Sequence, residues 1–117
     1  MGWRPPADDV RQRLPRFQSV NIEKNLGLRS ALEAIARSKN ATLAQLSIAW
    51  PMAQGKRGGV LIVPIPGAKS RKHLEENVRA ADIVLTAEDL AEIDCIVPPG
   101  AASGTRYPIG QMHRLNV

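Results

Sequence analysis

The fold is decided by the stretch VLIVPIPGAKSRKHLEENV, residues 60–78, which joins an apolar run to a basic loop and then to a helical pattern. The run Val60–Ile65 is uninterrupted and rich in β-branched residues, which is typical of a strand covered on both faces in a parallel sheet. Gly67 ends the run, and Ser70 is of the residue type that caps helix N-termini. Apolar residues then recur at helical spacing. The stretch therefore predicts a strand, a loop and a helix in succession.

The loop between this strand and this helix is basic. Gly67–Lys69 precede Ser70, where backbone N–H groups and the helix dipole both favour an anion. Arg71 and Lys72 add positive charge directly behind the cap. Spacing alone favours an ordinary solvated turn, with a phosphate or carboxylate site as the alternative. The loop is not a Walker loop, because it lacks the G-x-x-x-x-G-K-[ST] spacing.

A resemblance to a known family extends along most of the chain. Residues 62–78, IVPIPGAKSRKHLEENV, resemble the last strand, loop and helix of the aldo-keto reductases. Residues 14–54 resemble the helices that precede that strand in bacterial members, and residues 81–108 resemble the closing helix and C-terminal loop. The resemblance covers about residues 9–108, and the combined pattern is specific.

The resemblance implies an α/β fold that is one part of a TIM (β/α)8 barrel. A whole barrel has typically ~250 residues, so this chain corresponds to about the last third, with the last strand and its flanking helices. We expect the chain alone to be mostly helical with one clear strand, and to fold poorly, because a lone strand has unpaired backbone groups along both edges. Residues 1–117 are then a C-terminal fragment of the reductase domain, with an irregular leader over 1–20 and a loop over 97–117. A truncated reading frame would leave such a fragment.

The resemblance also implies a function in reducing aldehydes or ketones with NADPH. Catalysis in the family uses an Asp, Tyr, Lys and His tetrad in the first half of the barrel, and no member of it can be placed here. The single tyrosine, Tyr107, lies in the tail sequence GTRYP, far from any lysine and carboxylate pair that could lower its pKa. His73 and His113 do not match the tetrad either. We therefore predict no catalytic residue, no metal site and no turnover by this chain alone.

The resemblance assigns cofactor-binding roles to the loop and the helix behind it. Backbone amides of Gly67 and Ala68 would lie near a phosphate, and Lys69 and Ser70 would contact the 2′-phosphate of NADP(H). The adenine would meet the pair that follows in the helix, Glu76 and Asn77. Several family members carry arginine where this chain has His73. An imidazole can stack on adenine but lacks the bidentate charge of a guanidinium, so we expect a weaker grip on the phosphate.

Helical patterns flank the predicted strand. Residues 22–39 carry one apolar stripe, and Thr42 with Gln45 forms a capping-box signature for a second helix. The sequence GKRGG, residues 55–59, predicts a flexible basic turn that leads into the strand. Thr86 with Asp89 repeats the capping pattern for a last helix, in which Cys95 reads as a small core residue.

Composition narrows the possible partners. Sixteen Lys and Arg against eleven Asp and Glu give a net charge of +5, but carboxylates are interleaved among the basic residues. A dedicated nucleic-acid domain would concentrate its charge on one face. The sequence contains no apolar stretch of membrane-spanning length and no signal peptide, so we expect a cytoplasmic protein without a membrane or nucleic-acid partner.

Three functional hypotheses follow. The favoured one is an aldo-keto reductase segment that carries part of an NADP(H) site. The second is a non-catalytic fragment that completes another barrel, and the third is a small basic nucleic-acid-binding module, whose affinity would fall steeply with salt.

Overall fold

A computed structural model describes residues 4–115, which are mostly helical. The four α-helices are α1 (Ser19–Ser38), α2 (Leu43–Arg57), α3 (Arg71–Arg79) and α4 (Ala87–Ile96). Shorter 3₁₀ helices span Val10–Arg13, Pro15–Phe17, Ala80–Asp82 and Ile109–Arg114. The chain divides into two compact units: the first has residues 4–30 and 97–115 of the described range, and the second has residues 31–96.

The predicted strand is not formed. Val60–Ile65 carries no regular secondary structure, and no strand occurs anywhere in residues 4–115. The reason is that a β-strand exists only as part of a ladder of hydrogen bonds with a neighbouring strand, and the described part of the chain supplies no such neighbour. Leu61, Val63 and Ile65 are all highly exposed. The expectation of one clear strand is therefore wrong for this chain by itself.

The second unit has a small apolar core. Its buried members come from three helices: Ile35 and Ala36 of α1, Leu46 of α2 and Ile93 of α4. Two residues of the apolar stripe predicted for α1, Ile35 and Ala36, are thus buried in the core as expected. Cys95, predicted to join the core, is instead exposed, because it lies two positions beyond Ile93 and so on a different side of α4.

A partly buried ion pair lies beside this core. Lys39 contacts the carboxylate of Asp89, which also accepts a hydrogen bond from the Thr86 N–H at 2.6 Å. The Asp89 N–H donates to Thr86 Oγ1 at 3.2 Å, so the capping pattern predicted at the start of α4 is confirmed. Burial raises the Asp89 pKa, but hydrogen bonds from Lys39 and Thr86 outweigh burial and leave the pKa below its usual value.

The turn predicted for residues 55–59 is mostly helical, because α2 continues to Arg57. Its end is a Schellman motif: the Val60 N–H donates to Gly55 O at 2.9 Å, and the Gly59 N–H donates to Lys56 O at 3.2 Å. Gly59 has a φ of 71°, the left-handed conformation that this motif requires. Gly55, as the acceptor, and Gly59, with its left-handed backbone, therefore form the motif that ends α2.

The first unit is held by side-chain amides of α1. Asn25 Oδ1 accepts from the Ser103 N–H at 2.8 Å, and Asn25 Nδ2 donates to Ser103 O at 3.0 Å. Asn21 Oδ1 accepts from Ser103 Oγ at 2.8 Å. Together they attach the C-terminal segment to the N-terminal half of α1. The leader over 1–20 and the loop over 97–117 remain predictions, and residues 1–3 and 116–117 lie outside the described range.

Candidate functional site

The predicted N-cap is present at the start of α3. Ser70 has an extended backbone, with a φ of −144° and a ψ of 154°, and its Oγ accepts from the His73 N–H at 3.2 Å. Its carbonyl accepts from the Leu74 N–H at 3.0 Å. The N–H groups of Arg71 and Lys72 have no hydrogen-bond partner among residues 4–115, as expected at a helix start. The N-terminus of α3, which is the positive end of the helix dipole, therefore offers two free N–H donors.

Charge around this helix start is accessible. Gly67–Lys69, Ser70 and Lys72 are all exposed, and neither lysine has an ion-pair partner within the described residues. Arg71 Nε lies 3.7 Å from Glu75 Oε1, but these side chains are 92% and 61% exposed, so the pair is weak. The positive charge of the loop is consequently available to an anion.

Glu76 contacts α2. Its Oε1 accepts from the Thr42 hydroxyl at 2.7 Å, and its carbonyl accepts from Gln45 Nε2 at 3.0 Å. Thr42 and Gln45 form the predicted capping box of α2, with the Gln45 N–H donating to Thr42 Oγ1 at 3.2 Å and the Thr42 N–H donating to Gln45 Oε1 at 3.0 Å. Sequence reasoning found the box from its spacing but missed its connection to Glu76.

Asn77 and His73 complete the set of predicted site residues. Asn77 Nδ2 lies 3.5 Å from Gly67 O, a long contact that joins the helix to the loop. His73 lines a cleft of about 930 Å³ together with Glu76, Gln45 and Thr42. The cleft is also lined by the basic residues Lys39, Lys72 and Arg79 and the acidic residues Glu75 and Asp82.

Five of the seven predicted site residues make polar contacts within the described residues. The structure joins Gly67 to Asn77 and Ser70 to His73, and it joins Glu76 to α2. Ala68 and Lys69 are exposed in the loop. The apolar positions of α3, Leu74 and Val78, are more than half exposed, so the helix rests on few apolar contacts in this chain.

No group of three or more His, Cys, Asp or Glu side chains lies close enough together to hold a metal ion within residues 4–115. None of the described helices combines the length and the apolar character needed to cross a bilayer.

Comparison with known proteins identifies the family of this chain. The model of the "Aldo/keto reductase family" matches residues 3–98, which is most of the chain. This protein belongs to the aldo/keto reductase family.

Curated relatives give the same result and set the extent of the match. The chain is 42% identical over 105 residues to "Aldo-keto reductase yakc [NADP(+)]" of Schizosaccharomyces pombe, covering 90% of this chain and 30% of that protein. It is 38% identical over 108 residues to "Probable aldo-keto reductase 1" of Glycine max, covering 92% of this chain and 30% of that protein. The chain therefore spans about 30% of the length of these relatives. No solved structure gives a significant match.

Proposed function

We propose that this chain is a segment of an NADP(H)-dependent carbonyl oxidoreductase and carries part of the site for the adenosine 2′-phosphate. The observation that carries the proposal is the exposed basic loop ahead of the Ser70-capped helix α3, in a chain of this family. One relative has NADP(+) in its name, which supports NADP(H) as the ligand. The segment would correspond to the last strand and flanking helices of a (β/α)8 barrel.

The residues at the loop fit a phosphate group. The free N–H groups of Arg71 and Lys72 and the dipole of α3 favour an anion there. Lys69 would add an ammonium charge, and the Ser70 hydroxyl, which already accepts from His73, can still donate its proton. Gly67 and Ala68 would allow the phosphate to approach the backbone closely. Glu76 and Asn77, with His73 beside them, would meet the adenine.

Binding without turnover is the expected behaviour. When bound, NADPH supplies a hydride to a carbonyl, and a separate proton donor must protonate the resulting oxygen. The residues proposed here only hold the adenosine end of the cofactor. The sequence has no match to the Asp, Tyr, Lys and His set that family catalysis uses, so we expect no carbonyl reduction by this chain alone.

A calorimetric titration of the 117-residue chain tests this proposal. Adenosine 2′,5′-bisphosphate should bind more tightly than adenosine 5′-phosphate, because only the first carries the 2′-phosphate. Lys69→Ala should reduce that preference by roughly three- to tenfold, since Lys69 is exposed and the net contribution of one hydrogen bond there is about 1 kcal/mol. Lys56→Ala is the control: it removes an exposed lysine from the last turn of α2, outside the predicted site, and should leave the preference unchanged.

Two results would contradict the proposal. Equal affinity for both nucleotides would mean that the loop does not recognise the 2′-phosphate. Binding of a DNA oligonucleotide that weakens steeply with salt, with no preference between the two nucleotides, would instead favour the nucleic-acid-binding module.

A second candidate function is completion of a barrel with another polypeptide. The specific observation in its favour is the exposed apolar segment Val60–Ile65, in which Leu61 is 91% exposed and Ile65 is 93% exposed. Beyond the Val60 N–H, the backbone of this segment has no hydrogen bond within residues 4–115. Co-expression with the remaining part of the S. pombe relative should give a stable complex. Leu61→Lys should weaken that complex, whereas Lys56→Ala should not.

A further inference from the structure

The capping box of α2 also contacts one residue of α3. Thr42 Oγ1 accepts from the Gln45 N–H and donates its own proton to Glu76 Oε1, at 2.7 Å. Gln45 Oε1 accepts from the Thr42 N–H, and Gln45 Nε2 donates to Glu76 O at 3.0 Å. The Thr42 hydroxyl and the Gln45 side-chain amide therefore both donate to Glu76.

These contacts fix Glu76 at two points. Its carbonyl is among the last four of α3, which lack partners within a helix, and Gln45 supplies that partner from a buried position. Its carboxylate is held separately by Thr42. Because α3 already fixes the backbone of Glu76, the bond from Thr42 is the contact that restricts the rotamers of its side chain.

One carboxylate oxygen remains available. Glu76 Oε2 has no hydrogen-bond partner among residues 4–115, and Glu76 lines the cleft of about 930 Å³ beside His73. An ionised carboxylate accepts hydrogen bonds and cannot donate them. A fixed carboxylate in a cleft therefore selects a ligand group that donates.

We propose that Thr42 is a positioning residue that orients Glu76 to select a 6-aminopurine over a 6-oxopurine. This inference rests on the cofactor site proposed above. Glu76 Oε1 is occupied by the Thr42 hydroxyl, so Oε2 accepts from the exocyclic amino group of the purine. A 6-oxopurine places a carbonyl oxygen at that position, where two acceptors face each other without a proton.

The test compares two ligands that differ only at the purine 6-position. Adenosine 2′,5′-bisphosphate and inosine 2′,5′-bisphosphate are titrated calorimetrically into the 117-residue chain and its variants, and the ratio of the two dissociation constants is measured. A partly unfolded variant weakens both affinities by the same factor, because each apparent constant is divided by the same competent fraction. The ratio therefore reports on Glu76 orientation and is insensitive to a purely structural effect.

Four variants make the result specific. Thr42→Val removes the hydroxyl, and Thr42→Asp keeps an N-cap acceptor but cannot donate to Glu76, so it serves if the first variant fails to fold. Both should reduce the preference for adenosine by about two- to tenfold, since the glutamate regains rotamer freedom. Thr42→Ser keeps the hydroxyl and should retain the wild-type ratio. Ser47→Ala removes a hydroxyl of α2 that donates to Leu43 O and should also retain it.

The outcomes separate the two proposals. Loss of preference in Thr42→Val or Thr42→Asp, with Thr42→Ser unchanged, supports the positioning role. Wild-type binding without any adenosine preference, or variants that keep the wild-type ratio, would overturn this role and leave the 2′-phosphate site standing. Failure of the wild-type chain to bind either bisphosphate would overturn both.

Discussion

Replacing Gly55 by alanine tests how the end of α2 holds the segment that leads to the basic loop. Gly55 is buried, and a Cβ built on it would lie 2.7 Å from Val60 O and 2.9 Å from Ile62 Cγ1. Ordinary contacts begin at 3.4 Å, so the Val60 carbonyl would have to move by about 0.7 Å. That carbonyl belongs to the backbone and has little room to adjust, because the Val60 N–H is bonded to Gly55 O.

Two effects of this substitution oppose each other. Alanine has a higher helix propensity than glycine, which adds about 1 kcal/mol to helix stability. Overpacking a tight contact costs about 1–3 kcal/mol. The steric effect equals or exceeds the propensity gain, so we expect a net loss of up to about 2 kcal/mol in the free energy of unfolding. In a domain of this size the upper end of that loss lowers the melting temperature by roughly 10 °C.

The assay is thermal unfolding by circular dichroism at 222 nm, together with amide exchange at Val60. Gly58→Ala is the matched control, because the nearest atom to its Cβ is Gln54 O at 3.4 Å. Gly55→Ala should melt earlier than Gly58→Ala and should exchange the Val60 amide faster. The reasoning is refuted if Gly55→Ala melts at the same temperature as Gly58→Ala, or above it, with Val60 exchange unchanged.

Two further predictions concern charge and backbone. The Asp89 pKa lies below its usual value, because hydrogen bonds from Lys39 and Thr86 outweigh the effect of burial. The pair with Lys39 therefore stabilises the folded state above the usual aspartate pKa, and this stability is lost as the pH falls through the lower pKa of the folded state. Asp89→Asn should remove this contribution and so flatten the dependence of the melting temperature on pH between pH 2 and 6. Gly104 has a φ of 83°, and a Cβ there would lie 2.6 Å from Asn21 Nδ2, so Gly104→Ala should lower the melting temperature by several degrees, whereas Gly110→Ala, with no atom within 4 Å, should not.

Features that depend on residues close together in the sequence could be predicted from it. The caps Ser70, Thr42 and Thr86 each depend on atoms within three residues, and all three are confirmed at the start of their helices. The apolar stripe over residues 22–39 also predicts the existence of α1, although the helix begins three residues earlier, at Ser19. Family membership was predictable for a different reason, because the match is spread along nearly the whole chain.

Features that depend on residues far apart in the sequence could not be predicted from it. The apolar run Val60–Ile65 has the composition of a strand, but its hydrogen-bond partners are not in the described residues, so it stays irregular. The bond between Thr42 and Glu76 joins positions 34 residues apart, and neither residue type predicts the other. The sequence predicts a turn at both Gly55 and Gly59, although only Gly59 has a left-handed backbone conformation. The sequence GKRGG does not by itself show which glycine lies inside the helix and which one ends it.

The attachment of Ser103 to Asn25 has a consequence for synthesis of the protein. These residues are 78 positions apart, whereas residues 31–96, the whole second unit, are contiguous. At a translation rate of ~5–20 residues per second, about 4–16 s pass between the two residues, while helix formation takes about a microsecond. The nascent chain therefore holds the start of α1 without the contacts of Ser103 until that residue is made. During that interval we expect the start of α1 to be accessible to chaperones and proteases.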